Sequence, residues 1–353
     1  MGRELQQFLA VTMRRLLWGV LGSVASIAGA QVPSAASTML AWPAPPAEPA
    51  VKYVRTVVSA GDWGVDGGFL GQVIDALTGR EGERFVRPTG VAVANGVLYV
   101  ADPGAPALWI VDAPQNRLIK VDRVGDMALA SPVAVALGPE GSVFVADSVR
   151  KKVFRLDRAG ALIGTAIGSG LERPAGLAFD AGTGRLYVAD SVAHRIRIYG
   201  PDGAPIRTFG ERGTADSEFN APTHLALDRS GVLLVTDALN YRVQAFDRDC
   251  RFLWKIGRQG DGSGDFAAPK GVAADSRGHV YVVDALFDAV QVFDGRGGNL
   301  LFGFGDHGAR EGQFWLPGGL FIGPDDEIYV ADSYNRRIEV FRTAPSGRRE
   351  GGK

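Results

Sequence analysis

Apolar runs that close on an aspartate punctuate the chain: "VLYVAD", "SVFVAD", "RLYVAD", "VLLVTD", "HVYVVD" and "EIYVAD" end at Asp102, Asp147, Asp190, Asp237, Asp284 and Asp332. Their spacings are 45, 43, 47, 47 and 48 residues. A proline precedes each aspartate by 14 to 16 residues, at Pro88, Pro132, Pro174, Pro222, Pro269 and Pro317. Agreement at two columns across six copies makes this a repeat protein, and a period in this range belongs to solenoids and propellers.

Within the fourth copy, "HLALD" reads as a first strand, "VLLVTD" as a second, "RVQAFD" as a third and "FLWKIG" as a fourth. The runs are β-branched, aromatic and apolar, and Gly, Asp, Asn and Pro clusters bound them, which is strand-and-turn grammar. First strands are built from small residues, as in "GVAVA" from Gly90 and "GLAFD" from Gly176, whereas Trp254 and Phe302 stand in fourth strands. Small residues suit strands crowded around an axis, and bulky ones suit the perimeter. The expected fold is therefore all-β: a six-bladed β-propeller of four-stranded antiparallel blades.

The two ends of the repeat region predict how the ring closes. The sixth copy stops after its third strand, "RIEVFR", and a strand-like segment from Tyr53 to Gly61 precedes the first copy. An N-terminal strand that completes the last blade would leave neither sheet edge open.

The phrases "ADSVAHRIRIYGPDG" at 189–203 and "ADSYNRRIEVF" at 331–341, with the approach "GQFWLPGGLFI" at 312–322, resemble the NHL-repeat family. The resemblance covers roughly 51–343. It implies a six-bladed propeller, here of a bacterial exported type, but not one activity: members include protein-binding and RNA-binding modules, extracellular sensor domains and a few lyases.

Outside the repeats, Arg14 and Arg15 precede the uncharged stretch "LLWGVLGSVASIAGA" and a small-residue site at Ala28-Gly29-Ala30. Residues 1–30 therefore read as a signal peptide, or as a short membrane anchor, and the expected location is periplasmic or secreted. The stretch is shorter than the roughly 20 residues that span a bilayer, which favours cleavage over inner-membrane anchoring. Residues 31–50 form a Pro/Ala-rich linker, 51–343 the propeller and 344–353 a disordered tail.

Charge removes some partners. With 38 basic and 39 acidic residues there is no general attraction for nucleic acid, and none is expected to bind. Cys250 is the only cysteine, so intrachain disulfides and cysteine-based zinc sites are excluded; in an oxidising compartment its thiol could pair with another chain. The chain is expected to be a monomer.

A feature that all blades share marks the fold rather than a site. The aspartate column is read as structural, each carboxylate accepting hydrogen bonds from the turn it precedes. The basic residue five positions later, at Lys152, Arg195, Arg242 and Arg337, suggests a local ion pair worth about 0–1 kcal/mol if exposed. Phe85, Phe219, Phe266 and Phe314, each three residues before its proline, are read as plugs between blades.

Function is sought where the copies differ. The segment from the glycine closing a fourth strand to the next opening proline takes twelve residues at 210–222, 257–269 and 305–317, seven and six at 125–132 and 168–174, and 27 at 61–88. These loops share one face with the turns between second and third strands, so that face is lopsided. It carries Leu239, Tyr241, Leu286, Phe287, Trp315 and Tyr334, with Trp63 in the longest insertion. Aromatic residues in turns suggest a surface for a protein, peptide or cell-envelope ligand. Packing against neighbouring loops would explain them equally well.

The channel mouth is the second candidate, with Thr89, Thr223, His224 and Lys270 following the opening prolines. Some related propellers, such as peptidyl-hydroxyglycine lyase, are metal-dependent and place histidines from several blades around the axis. The four histidines here fall in four different registers and do not converge, so neither a metal nor another cofactor is expected. A non-enzymatic binding module or scaffold is the reading that results; a metal-dependent lyase or hydrolase acting at the channel mouth is the alternative.

Overall fold

The computed structural model describes residues 40–344 except 45, 49, 66–83, 165, 166, 169, 296 and 297. The segment read as a signal peptide, the tail after Ala344 and most of the long insertion lie outside the described residues.

Six small antiparallel sheets follow one another around an axis. Blade one comprises Gly90–Ala94, Val97–Asp102, Ala107–Asp112 and Arg117–Val121. Blades three, four and five repeat it from Pro174–Asp180 to Pro205–Phe209, from Pro222–Leu227 to Phe252–Ile256, and from Pro269–Ala274 to Leu300–Phe304. Second strands such as Val97–Asp102 and Leu233–Asp237 are buried along their whole length. That burial explains their unbroken apolar runs: each is covered on both faces by adjacent blades, so alternation would place polar groups in a core.

The last blade closes the ring. Leu320–Ile322, Glu327–Asp332 and Arg337–Thr343 come from the end of the chain and Val51–Val57 from its start, with Val51 opposite Thr343 and Val57 opposite Ile338. The closing strand thus begins two residues earlier than its sequence suggests and ends at Val57. Val51 and Val57 are fully buried, so closure seals a core as well as an edge.

Two details refine the expectation. Among the described residues, blade two shows three continuous strands, Pro132–Leu137, Val143–Asp147 and Lys152–Leu156. Where a fourth should run, the described residues form only isolated bridges, Leu156 to Leu162 and Val153 to Ile167. Residues 165, 166 and 169 of that outer segment lie outside the described residues. The linker is also not a spacer throughout: Ala41–Trp42 adds a fifth strand to the last blade, and the Trp42 ring lies 5.9 Å from Phe304 and 5.8 Å from Phe341. One large aromatic residue in a Pro/Ala-rich stretch is enough to anchor it.

The phenylalanine plugs are well defined. Phe219, Phe266 and Phe314 are fully buried, and Phe219 packs in a cluster drawn from blades three and four. Each ring rests on the glycine closing the preceding fourth strand: a Cβ on Gly210, Gly257 or Gly305 would stand 2.2–2.3 Å from it, and all three glycines have φ near +86°. Only glycine meets both demands.

Candidate binding face

The aspartate column organises the face on which the inter-blade loops emerge. All six carboxylates are buried. Asp102 accepts from the backbone N–H groups of Val86 and Arg87 before the opening proline, and from Gly104 and Ala105 in its own turn. Asp147 does the same with Ala130, Ser131, Val149 and Arg150. Asp102, Asp147 and, with Ala267, Ala268, Leu286 and Phe287, Asp284 therefore tie the incoming loop as well as their own turn, and these donors are satisfied by a charged acceptor.

The basic column behaves less uniformly than its sequence suggests. Arg242 Nε and Arg337 Nε donate to Asp237 and Asp332 at 2.8 Å, and both pairs are buried rather than exposed. Asp190 instead pairs with Arg197, seven residues on, at 3.0 Å, which leaves Arg195 exposed. Burial pushes the Asp237 and Asp332 carboxyls up, against the lowering by their hydrogen bonds and arginines.

With backbone and loops fixed in this way, the second residue after the aspartate is turned outward in blades two to six, blade one having Gly104 there. Val149, Val192, Leu239, Leu286 and Tyr334 occupy this position in blades two to six, and all are exposed, Val149 and Leu286 at 63%. Trp315 is 46% exposed, and its ring lies 5.6 Å from Tyr334 and 6.3 Å from His307. Apolar side chains thus form an interrupted ring around the axis, with an aromatic group at blade six. Val149 and Val192 were not singled out from sequence; their signal was the column itself, which selection by aromatic character passes over.

Other expected residues lie elsewhere. Trp63 is buried between the last and first blades: its Nε1–H donates to the Gly96 carbonyl at 3.0 Å, Arg55 stacks over the ring at 4.5 Å, and Tyr329 meets it edge-on. Gly96 belongs to the turn on the opposite face, so Trp63 is a wedge and not part of the ring. Tyr241 and Phe287 are half-buried, Tyr241 against the core shared by blades four and five. At φ +53°, Tyr241 closes a short turn and its ring folds inward. Residues 66–83 of the long insertion lie outside the described residues.

At the axis, Thr89 Oγ1 donates to the Val133 carbonyl at 3.0 Å, a bond between adjacent blades. Beneath the mouth, the first strands enclose a cavity of about 230 Å³ lined by Val91, Val135, Leu177, Leu225, Val272 and Leu320 among others. Thr223, His224 and Lys270 stand above it as neighbours. The remaining histidines are dispersed: His194 Nδ1 accepts from Ala221 N–H, while His279 and His307 bond Asp275 and Asp288. No group of three or more metal-ligating side chains occurs among the described residues.

The NHL repeat profile matches residues 171–199 and 314–341. No curated protein matches the chain. Among solved structures, virginiamycin B lyase from Staphylococcus aureus is 14% identical with a TM-score of 0.54, covering 73% of this chain and 84% of that one. A Bacteroides thetaiotaomicron protein of unknown function is 18% identical, with a TM-score of 0.57 and coverage of 74% and 70%. A chain of the nidogen/laminin complex is 19% identical, with a TM-score of 0.52 and coverage of 70% and 86%. At these identities the likeness is one of fold. The chain carries NHL repeats at 171–199 and 314–341 and folds as a six-bladed β-propeller closed by its own N-terminal strand.

Proposed function

We propose that this propeller is an exported, non-enzymatic binding module that takes a protein or peptide of the cell envelope on its long-loop face. The observation that carries this reading is the ring of exposed apolar side chains at one repeat position, together with Trp315 beside Tyr334. Single exposed apolar residues are ordinary, but their recurrence on one face around a common axis makes a surface suited to association. The same fold serves a lyase and a chain of the nidogen/laminin complex, so fold alone decides nothing and the choice rests on this face.

The test compares capture of envelope proteins by the wild type and by a variant carrying Leu239→Ser, Leu286→Ser, Trp315→Ala and Tyr334→Ser. The substituted groups are exposed, so each should alter stability by about 0.5 kcal/mol or less. Loss of a partner that the wild type retains supports the reading, whereas equal capture by a folded variant refutes it.

A further inference from the structure

The first strands approach the axis so closely that one register admits almost no side chain. The second residue after each opening proline is Gly90, Ala134, Gly176, His224, Gly271 or Gly319. A Cβ on Gly176 would stand 2.3 Å from the Thr223 carbonyl oxygen of the next blade, one on Gly271 2.5 Å from Leu320 N, and one on Gly319 2.2 Å from the Thr89 carbonyl oxygen. His224 is the exception. In the preceding column, otherwise Thr89, Val133, Ala175, Thr223 and Gly318, Lys270 is likewise alone in carrying a charge. Blades four and five are adjacent, so the two departures fall side by side. Two departures that bring polar groups together at one place on the channel point to a site.

Electrostatics at this place is one-sided. The His224 imidazole keeps some contact with channel solvent, yet the protein packed around it pushes its pKa down to about 3, with the Lys270 charge adding to the effect; the ring is neutral. Burial also lowers the Lys270 ammonium, against the pull of Asp284. That carboxylate is already engaged by the N–H groups of Ala267, Ala268, Leu286 and Phe287. Among the described residues, the Lys270 ammonium donates no hydrogen bond. A partly buried cation with unused donors is costly, and an anion offsets that cost.

We propose that the channel neck between blades four and five binds a small carboxylate, its two oxygens accepting from His224 Nε2–H and from the Lys270 ammonium. His224 Nδ1 lies 3.1 Å from Thr223 Oγ1. With that hydroxyl donating to Nδ1, the ring proton sits on Nε2 and faces the ligand as a neutral donor. One cation and one neutral donor match a monoanion with two oxygens; a phosphate dianion would keep a charge unpaired. This site is separate from the apolar ring, and either can fail without the other.

The experiment titrates the purified chain with acetate at constant ionic strength, with chloride and inorganic phosphate as parallel arms, reading heat and melting temperature. Acetate should bind saturably at one site per chain and raise the melting temperature above the chloride reference. His224→Gly and Lys270→Thr install residues that sister blades carry at these registers, and each should weaken acetate binding at least tenfold. Should either variant fail to fold, the ¹⁵Nε2 resonance of His224 in the wild type should still shift along the acetate titration. No saturable acetate response, a response to phosphate or chloride instead, or undiminished binding by folded variants would overturn the proposal.

Discussion

Arg337 Nε donates to Asp332 Oδ2 at 2.8 Å, and its two Nη groups reach the carbonyls of Ala309, Arg310 and Gln313 at 2.7–2.8 Å. One guanidinium fork thus fastens a second strand, a third strand and the twelve-residue loop entering the blade. Arg242 makes the same bonds two long loops earlier, to Asp237, Thr214, Ala215 and Glu218. Arg337→Ala would leave the buried Asp332 and Glu339 side chains without their cation and three carbonyls without their donor, and should destabilise the fold by about 3–5 kcal/mol. Arg195→Ala, at the same repeat position but exposed and without an ion pair, should cost about 0.5 kcal/mol or less. Equal losses in chemical denaturation would show that the column acts as a uniform surface feature.

The contrast shows what the repeat made legible. Periodicity gave the blades, the closure and the buried aspartates, because a constraint imposed on every copy writes itself six times. It did not give the partner of Asp190, since Arg195 and Arg197 lie two residues apart on one strand and only packing determines which turns inward. Trp63 and Tyr241 could be placed only by the structure for a related reason: an aromatic residue in a loop carries the same composition whether its ring faces solvent or a core. His224 was visible at once, but its meaning depended on the backbone distances that exclude side chains from its register.

Ring closure predicts a particular failure. A chain beginning at Ser59 would lack Val51–Val57 and expose the long edge of Arg337–Thr343, uncovering Ile338 and Phe341, which are fully buried in the intact protein. Such an edge pairs readily with another copy. The truncated protein should therefore elute as dimers and larger species in light-scattering chromatography, while the intact chain remains at lower mass. A monodisperse truncated monomer would refute this role of the closing strand.

Trp42 tests whether the supposed linker belongs to the fold. Besides meeting Phe304 and Phe341, its ring lies where a Cβ on Gly312 would stand 2.7 Å from it, so the 305–317 loop is shaped to receive it. Trp42→Ala should cost about 2 kcal/mol, less than a fully buried tryptophan because the ring is partly exposed. Gly312→Ala should be destabilising as well, for the added reason that φ there is +71°. A Trp42→Ala protein with an unchanged melting temperature would return this segment to the status of a spacer.

Glu339 makes the closed blade sensitive to pH. It is fully buried, Thr56 of the closing strand donates to its Oε2 at 2.8 Å, and Arg337 Nη2 lies 2.8 Å from its Oε1. Burial pushes its carboxyl up to about 7 from an ordinary 4.5, outweighing the lowering by Arg337 and Thr56. Below pH 4.5 the group is protonated in both folded and unfolded chains, and its contribution is fully present. Between 4.5 and about 7 the unfolded chain ionises first, so stability falls as pH rises, and above about 7 the loss is complete. Blades four and five carry Gln244 and Gln291 seven residues after their aspartates, where Glu339 follows Asp332, and both amides bond the entering loop. Glu339→Gln should therefore fit the site, match the wild type near pH 4.5, and exceed its unfolding free energy by about 1–2 kcal/mol at pH 8. Denaturant melts across this range check the difference in slope; parallel curves for the two proteins would mean that Glu339 is already ionised in the folded chain, with Arg337 compensating its charge in full.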